Sequence, residues 1–168
     1  SALLVMYRIR SANMVLDASK TEHYLNRVLD RNPRCAEALV IRATNVLNDR
    51  RFQDAARQFN SVLALDPNHR VALCHRTAAA LMLNDEQDVA RYRARALAGD
   101  PGWPECDRII GEHLAALYRF ADAVPYFEAA LAADPEHVES LQGLAGCLIY
   151  TGQGARAKLV LEQAKKLQ

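Results

Sequence analysis

The chain has 168 residues, enough for one domain with a continuous core; 51% are apolar and only 7% aromatic. Its 21 basic and 20 acidic residues nearly cancel, which argues against nucleic-acid or membrane-surface binding. No apolar run is long enough to span a bilayer, and four cysteines without a C-x-x-C pair match no zinc signature.

Residues 2–16 predict a helix that is apolar over a wide arc, with Leu3, Leu4, Val5, Met6, Tyr7, Met14 and Val15. Ser1 stands where an initiator Met would, so the native N-terminus is expected upstream. Ser19 and Glu22 read as a capping box opening the next helix, in which Leu25, Val28 and Leu29 fall in phase. After Pro33 a pair of helices follows. The leading one carries Leu39, Ala43, Val46 and Leu47 at helical spacing. The trailing one carries Ala55, Phe59, Val62 and Leu63, and stops at Asp66-Pro67 because proline disfavours a helical residue before it.

The next trailing helix departs from this pattern. Val89 replaces the small residue and Arg93 the aromatic one; Tyr92 next door supplies the ring after a small rotation. Arg91, Arg93 and Arg95 read as a solvated outer face, with an acidic-partner patch as the alternative. Asp100-Pro101-Gly102-Trp103-Pro104 predicts a stiff turn in which Trp103 caps its neighbours and Pro104 starts a helix. Ile110, Gly111 and Leu114 mark the next leading helix. Phe120, Ala123, Phe127 and Leu131 mark its partner, with a slight bend expected at Pro125. The last pair carries Leu141, Leu144, Ala145 and Leu148, then Gly152 in the turn, then Ala157, Leu161 and Ala164.

These elements repeat. Pro33, Pro67, Pro101 and Pro135 stand 34 residues apart, each after Asn32, Asp66, Asp100 or Asp134, with a Leu four residues earlier. A strict period with the same helix-ending chemistry signals stacked hairpins, over residues 2–35, 36–69, 70–103, 104–137 and 138–168. Small residues such as Ala43, Gly111 and Ala145 are expected where paired helices cross, with Phe59 and Phe127 filling the space between. Each hairpin leaves one apolar face for the next to bury. Ala56/Leu63, Ala90/Leu97 and Val124/Leu131 hold those places, whereas the last hairpin has Lys158 and Lys165. That predicts a polar cap and the natural end of the array. The first helix lacks such a polar face, so an upstream segment or another molecule is expected to cover it.

The period, with A-x₃-F at Ala55/Phe59 and Ala123/Phe127 and a variant at Ala157/Leu161, resembles the tetratricopeptide repeat family over the whole chain. The resemblance implies an all-α solenoid of five helix-turn-helix hairpins in a right-handed superhelix. It also implies a concave groove lined by the second, fifth, ninth and twelfth positions of the leading helices. Those positions carry Glu37, Val40, Thr44 and Leu47; Val71, Cys74, Ala78 and Leu81; Glu105, Arg108, Glu112 and Ala115; and Glu139, Gln142, Gly146 and Ile149. Such a groove suits a peptide with apolar anchors and a basic residue. Val40, Leu47, Val71 and Leu81 would give apolar contact, and Thr44, Arg108 and Glu112 would fix orientation. The alternative is that part of this stripe is packing. The family's chaperone-tail clamp is not expected, because its first Lys–Asn pair is missing and Glu105 and Glu139 would repel a carboxylate.

No motif for catalysis or phosphate binding appears, so no enzyme activity, cofactor or metal is expected. Cys74, His75 and Cys106 are the one metal candidate, without an evident fourth ligand. His69 and His137 end their units at equivalent places, which reads as structural. The four cysteines read as free thiols in a cytoplasmic protein. The expected function is a scaffold or adaptor binding a protein or peptide. Two alternatives are an accessory domain of a larger enzyme and a homodimer through Leu3, Leu4, Met6 and Tyr7.

Overall fold

The computed structural model describes residues 18–167, with side chains from Thr21 onward. Among these the chain is all helical: α1 (Ala18–Arg31), α2 (Ala36–Asn48), α3 (Phe52–Leu65), α4 (Arg70–Met82), α5 (Glu86–Leu97), α6 (Glu105–Ala116), α7 (Phe120–Ala133), α8 (Val138–Tyr150) and α9 (Gly154–Lys166). Leading helices α2, α4, α6 and α8 pair with trailing helices α3, α5, α7 and α9, and the hairpins stack as a solenoid. The predicted helix over 2–16, the pairing surface at Leu3, Leu4, Met6 and Tyr7, and the Ser19 side chain lie outside the described residues. No described helix is long and apolar enough to cross a membrane.

Two recurrent turns explain the period. Before each periodic proline the Asn or Asp side chain accepts the N–H two residues on: Asn32 from Arg34, Asp66 from Asn68, Asp100 from Gly102 and Asp134 from Glu136, all at 3.1–3.2 Å. Asp66 and Asp134 are extended (φ −134° and −138°), as a residue before proline prefers. Inside each hairpin one residue turns left-handed: Arg50, Asn84, Tyr118 and Gly152 (φ 61°, 57°, 61° and 78°). Only Gly152 escapes the steric cost of a Cβ there.

Caps follow the same repeat. His69 and His137 accept the N–H of Ala72 and Ser140 (both 3.3 Å), opening α4 and α8. Pro104 precedes α6 with helical angles (φ −72°, ψ −22°), and its carbonyl accepts from Arg108 N–H (3.0 Å). Helix α7 runs unbroken through Pro125.

Phe59 and Phe127 are fully buried, as are Ala43, Ala55 and Ala123. The Phe127 ring lies so close to two leading helices that a Cβ on Gly111 would come within 3.0 Å of it, and one on Gly143 within 2.4 Å. Gly143 thus marks a close approach between the fourth and fifth units, and Ala145, two residues on, is buried.

Hairpin three turns as Tyr92 suggested. Tyr92 is buried, with the Arg76 guanidinium 4.5 Å from its ring centre. Asn60 Oδ1 accepts from both Arg76 Nε (2.9 Å) and Tyr92 Oη (3.2 Å), and Arg76 also pairs with Asp88. The rotation leaves Ala90 exposed, against its expected packing role. The basic cluster lies on an outer face, with Arg91 and Arg95 exposed and Arg93 half-buried, but each arginine is engaged within the chain. Arg91 pairs with Asp88 (2.8 Å), Arg93 donates through Nε and Nη2 to both carboxylate oxygens of Asp107 (2.9 and 2.7 Å), and Arg95 donates to the Pro67 carbonyl (2.7 Å). Trp103 is half-buried under Arg70, whose guanidinium lies 3.9 Å from the ring centre. Helix α5 barely touches α6, whereas α3 packs along α4 and α7 along α8.

On α9, Lys158 and Lys165 are exposed, but so are Leu159 (67%) and Leu161 (38%). The face is mixed, not the purely polar cap expected. Leu161 occupies the place of Phe59 and Phe127, and no described hairpin follows to cover it.

Candidate functional site: a two-cleft concave groove

Leading helices α2, α4 and α6 lie side by side, with α4 in the middle. They line two clefts. The first, about 410 Å³, sits at their N-terminal ends, with Val40, Ile41, Val71 and Ile109 as apolar wall and Glu37, Glu105, Arg108 and Glu112 around it. The second, about 270 Å³, sits at their C-terminal ends, with Leu47, Phe52, Met82, Ala116 and Leu117, rimmed by Asn48 and Arg50.

A histidine pair joins the clefts. His75 lines the first and His113 the second; His75 Nδ1 and His113 Nε2 are 2.9 Å apart. Phe59 stacks flat on His75, with centroids 5.6 Å apart at 6°. Burial pushes His75 well below its ordinary range, and the neighbouring His113 and Arg108 charges add to this. Burial, then Arg108, pushes His113 down to about 4. Both rings are neutral near pH 7, so one ring N–H donates to the other ring's bare nitrogen.

Charge divides unevenly. Arg108 bonds Glu105 (2.6 Å) and Glu112 (2.5 Å), and His137 Nε2 lies 3.0 Å from the other Glu105 oxygen. Burial works against the Glu105 charge, but Arg108 and His137 outweigh it and hold the carboxyl below its usual range. Glu37 meets no cation among the described residues; its near partner is the Cys35 thiol (3.5 Å). The Arg50 side chain has no hydrogen bond or ion pair among the described residues.

The expected groove residues fall into two groups. Val40, Val71, Arg108 and Glu112 come together in the first cleft, and Val71 is 37% exposed. Leu47 lines the second. Thr44 is half-buried, and its hydroxyl donates to the Val40 carbonyl (2.8 Å). Leu81 is half-buried against the core. Cys74 and Ala78 have no exposed surface at all; both belong to the core, and α6 packs beside α4 there. The Cys106 thiol beside it and its own burial hold the Cys74 thiol well above the ordinary range, so it stays protonated. His75 turns to His113 instead of joining those thiols, and no three potential ligands cluster for a metal among the described residues.

Sequence reasoning did not place Ile41, His75 or Ile109 in the groove, although they share the sixth position of successive repeat units (His75 reads there only as a metal candidate), and it missed His113 and Met82. The sixth column holds bulky side chains until Gly143, which is the signal that was there to be read.

Two tetratricopeptide repeat profiles match the chain, over residues 22–70 and 114–168. Human Tetratricopeptide repeat protein 28 is 25% identical over 129 residues, and its mouse counterpart equally so. That match takes in 77% of this chain but only 5% of the relative, so the chain spans about a twentieth of the curated proteins it resembles. Among solved structures, a thermophilic TPR protein of Thermus thermophilus superposes with a TM-score of 0.72 at 16% identity, covering 99% of this chain and 91% of that one. Yeast Tom70 gives 0.65 at 19% identity, covering 97% of this chain and 35% of that one. YrrB, described as a TPR protein with an unusual peptide-binding site, gives 0.56 at 16%, covering 100% and 87%. Likeness at such low identity speaks for the fold.

Proposed function

Because the chain belongs to the tetratricopeptide repeat family, whose arrays serve as protein-interaction scaffolds, we propose that it binds a peptide segment of a protein partner in its concave groove, without chemistry of its own. The observation that carries this reading is the first cleft. There Val71 remains 37% exposed beside Val40 and Ile109, while the rest of α4 is largely packed away. A cleft with apolar walls and a few charged groups on rigid helices is what a peptide anchor needs. In this reading Val40, Leu47 and Val71 contact the ligand, and Arg108 and Glu112 orient it. Thr44 and Leu81 support the walls.

The test is a capture experiment with the wild type beside Val71→Glu, whose helicity is checked by circular dichroism. Loss of capture by a folded variant is the expected result. Equal capture by both proteins would move the site off the groove. The length of the relatives, of which this chain matches 5%, favours a second reading in which the array works as an interaction module within a longer chain.

A further inference from the structure

Resting on that groove reading, we infer that the ligand is a short extended segment of about five residues with opposite charges at its two ends. Its cationic end lies over the first cleft, its anionic end meets Arg50, and apolar side chains enter the clefts on either side of the His75–His113 bridge.

Length comes first. The clefts occupy opposite ends of the same three helices, from Glu37 to Asn48 on α2. Eleven helical steps cover about 16 Å. An extended chain rises about 3.3 Å per residue, so about five residues span both clefts. Side chains two residues apart point the same way, which lets one enter each cleft with the bridge between them.

Charge sets the direction. The first cleft has three carboxylates against one guanidinium, and Glu37 is the one without a cation. The second cleft has the opposite sign: Arg50 stands at its rim with no acidic partner among the described residues. A ligand of one sign throughout satisfies one end and is repelled at the other.

The bridge adds a backbone site. His75 Nδ1 and His113 Nε2 are used on each other, so His75 Nε2 and His113 Nδ1 have no hydrogen-bond partner among the described residues. Whichever ring donates within the bridge, one of these two nitrogens bears a proton and the other does not. A peptide group likewise offers one acceptor and one donor.

The test uses a displayed library of random heptapeptides, selected on the whole folded chain, followed by affinity measurements on one synthetic winner. Selected sequences should share a cationic and an anionic side chain about four residues apart, with apolar residues between. Arg50→Glu should weaken the winner about fivefold, and changing the winner's anion to lysine should restore binding to that variant. If Arg50→Glu leaves affinity unchanged while a folded Val71→Glu abolishes it, the groove reading stands and the two-ended one falls. If Val71→Glu also has no effect, or the library selects nothing, the groove reading falls as well.

Discussion

Phe127 lies wedged between Gly111 and Gly143, and the seam it fills joins hairpins four and five along the whole of α7 and α8. One hairpin earlier the same place belongs to Arg93, whose side chain reaches out of the core to Asp107. There the trailing helix α5 hardly meets α6, and the seam is held by the packing of α4 on α6, by Arg93–Asp107 and by His75–His113. One seam closes by burying a ring between trailing and leading helices; the other joins apolar packing of α4 on α6 to a set of polar contacts. Both clefts open on the polar one. The repeat is kept most strictly at the Phe127 seam and is broken beside the proposed groove, the kind of place where local rules often yield to function.

The comparison can be broken first at its apolar side. Phe127→Ala should destabilise the protein by about 3–5 kcal/mol, since it empties a site with no room to collapse. Chemical denaturation reads this directly. An equal loss from Arg93→Ala would remove the distinction between the seams.

Acid should act on the polar seam instead. His113 is held at about 4 when folded but titrates near its ordinary value of about 6.5 when unfolded. The unfolded chain therefore takes up the proton first, and stability is lost as pH falls from about 6.5 towards 4. The loss from this ring reaches about 3 kcal/mol at pH 4. His113→Gln should flatten that slope in a series of unfolding curves, and an unchanged slope would show that the bridge is not the titrating element.

Gly143→Ala sharpens the apolar side. The added methyl meets the Phe127 ring, which Gly111 blocks from retreating, so about 1–3 kcal/mol should be lost. Asp107→Asn tests the other seam more gently, because Arg93 is partly exposed and can turn to water; about 1 kcal/mol is expected. The smallest effect is a gain. Tyr118 holds a left-handed turn with its ring 77% exposed, and Tyr118→Gly should stabilise by up to about 1 kcal/mol. A loss there would mean that the ring's edge contact with Phe120, at 6.0 Å, outweighs the backbone strain.

What could be read in the chain beforehand was local. The Asn or Asp before each proline, the A-x₃-F spacing and the aromatic beside Arg93 each depend on residues within one hairpin. The caps at His69 and His137 were legible as a repeat for the same reason. Which face of a leading helix reaches the groove is not local. Cys74 and Ala78 stand in the column that the family resemblance assigns to the surface, yet both are fully buried in the core. His75 and His113 are 38 residues apart on different helices, and their meeting depends on how closely α4 and α6 approach. No spacing rule within one unit carries that distance.

The near-separation of α5 from α6 has a mechanical consequence. The solenoid is a rod of two layers, with leading helices inside and trailing helices outside. Across hairpins three and four the leading helices α4 and α6 pack together, while the trailing helix α5 lacks the packing on the next leading helix that α3 and α7 have. With one of its two kinds of packing nearly lost, this joint is expected to yield more easily than its neighbours. Flexing the joint changes the width of the groove while the apolar packing on either side stays intact. On that expectation the array flexes as two blocks joined through their leading helices, and the width of the clefts follows its curvature.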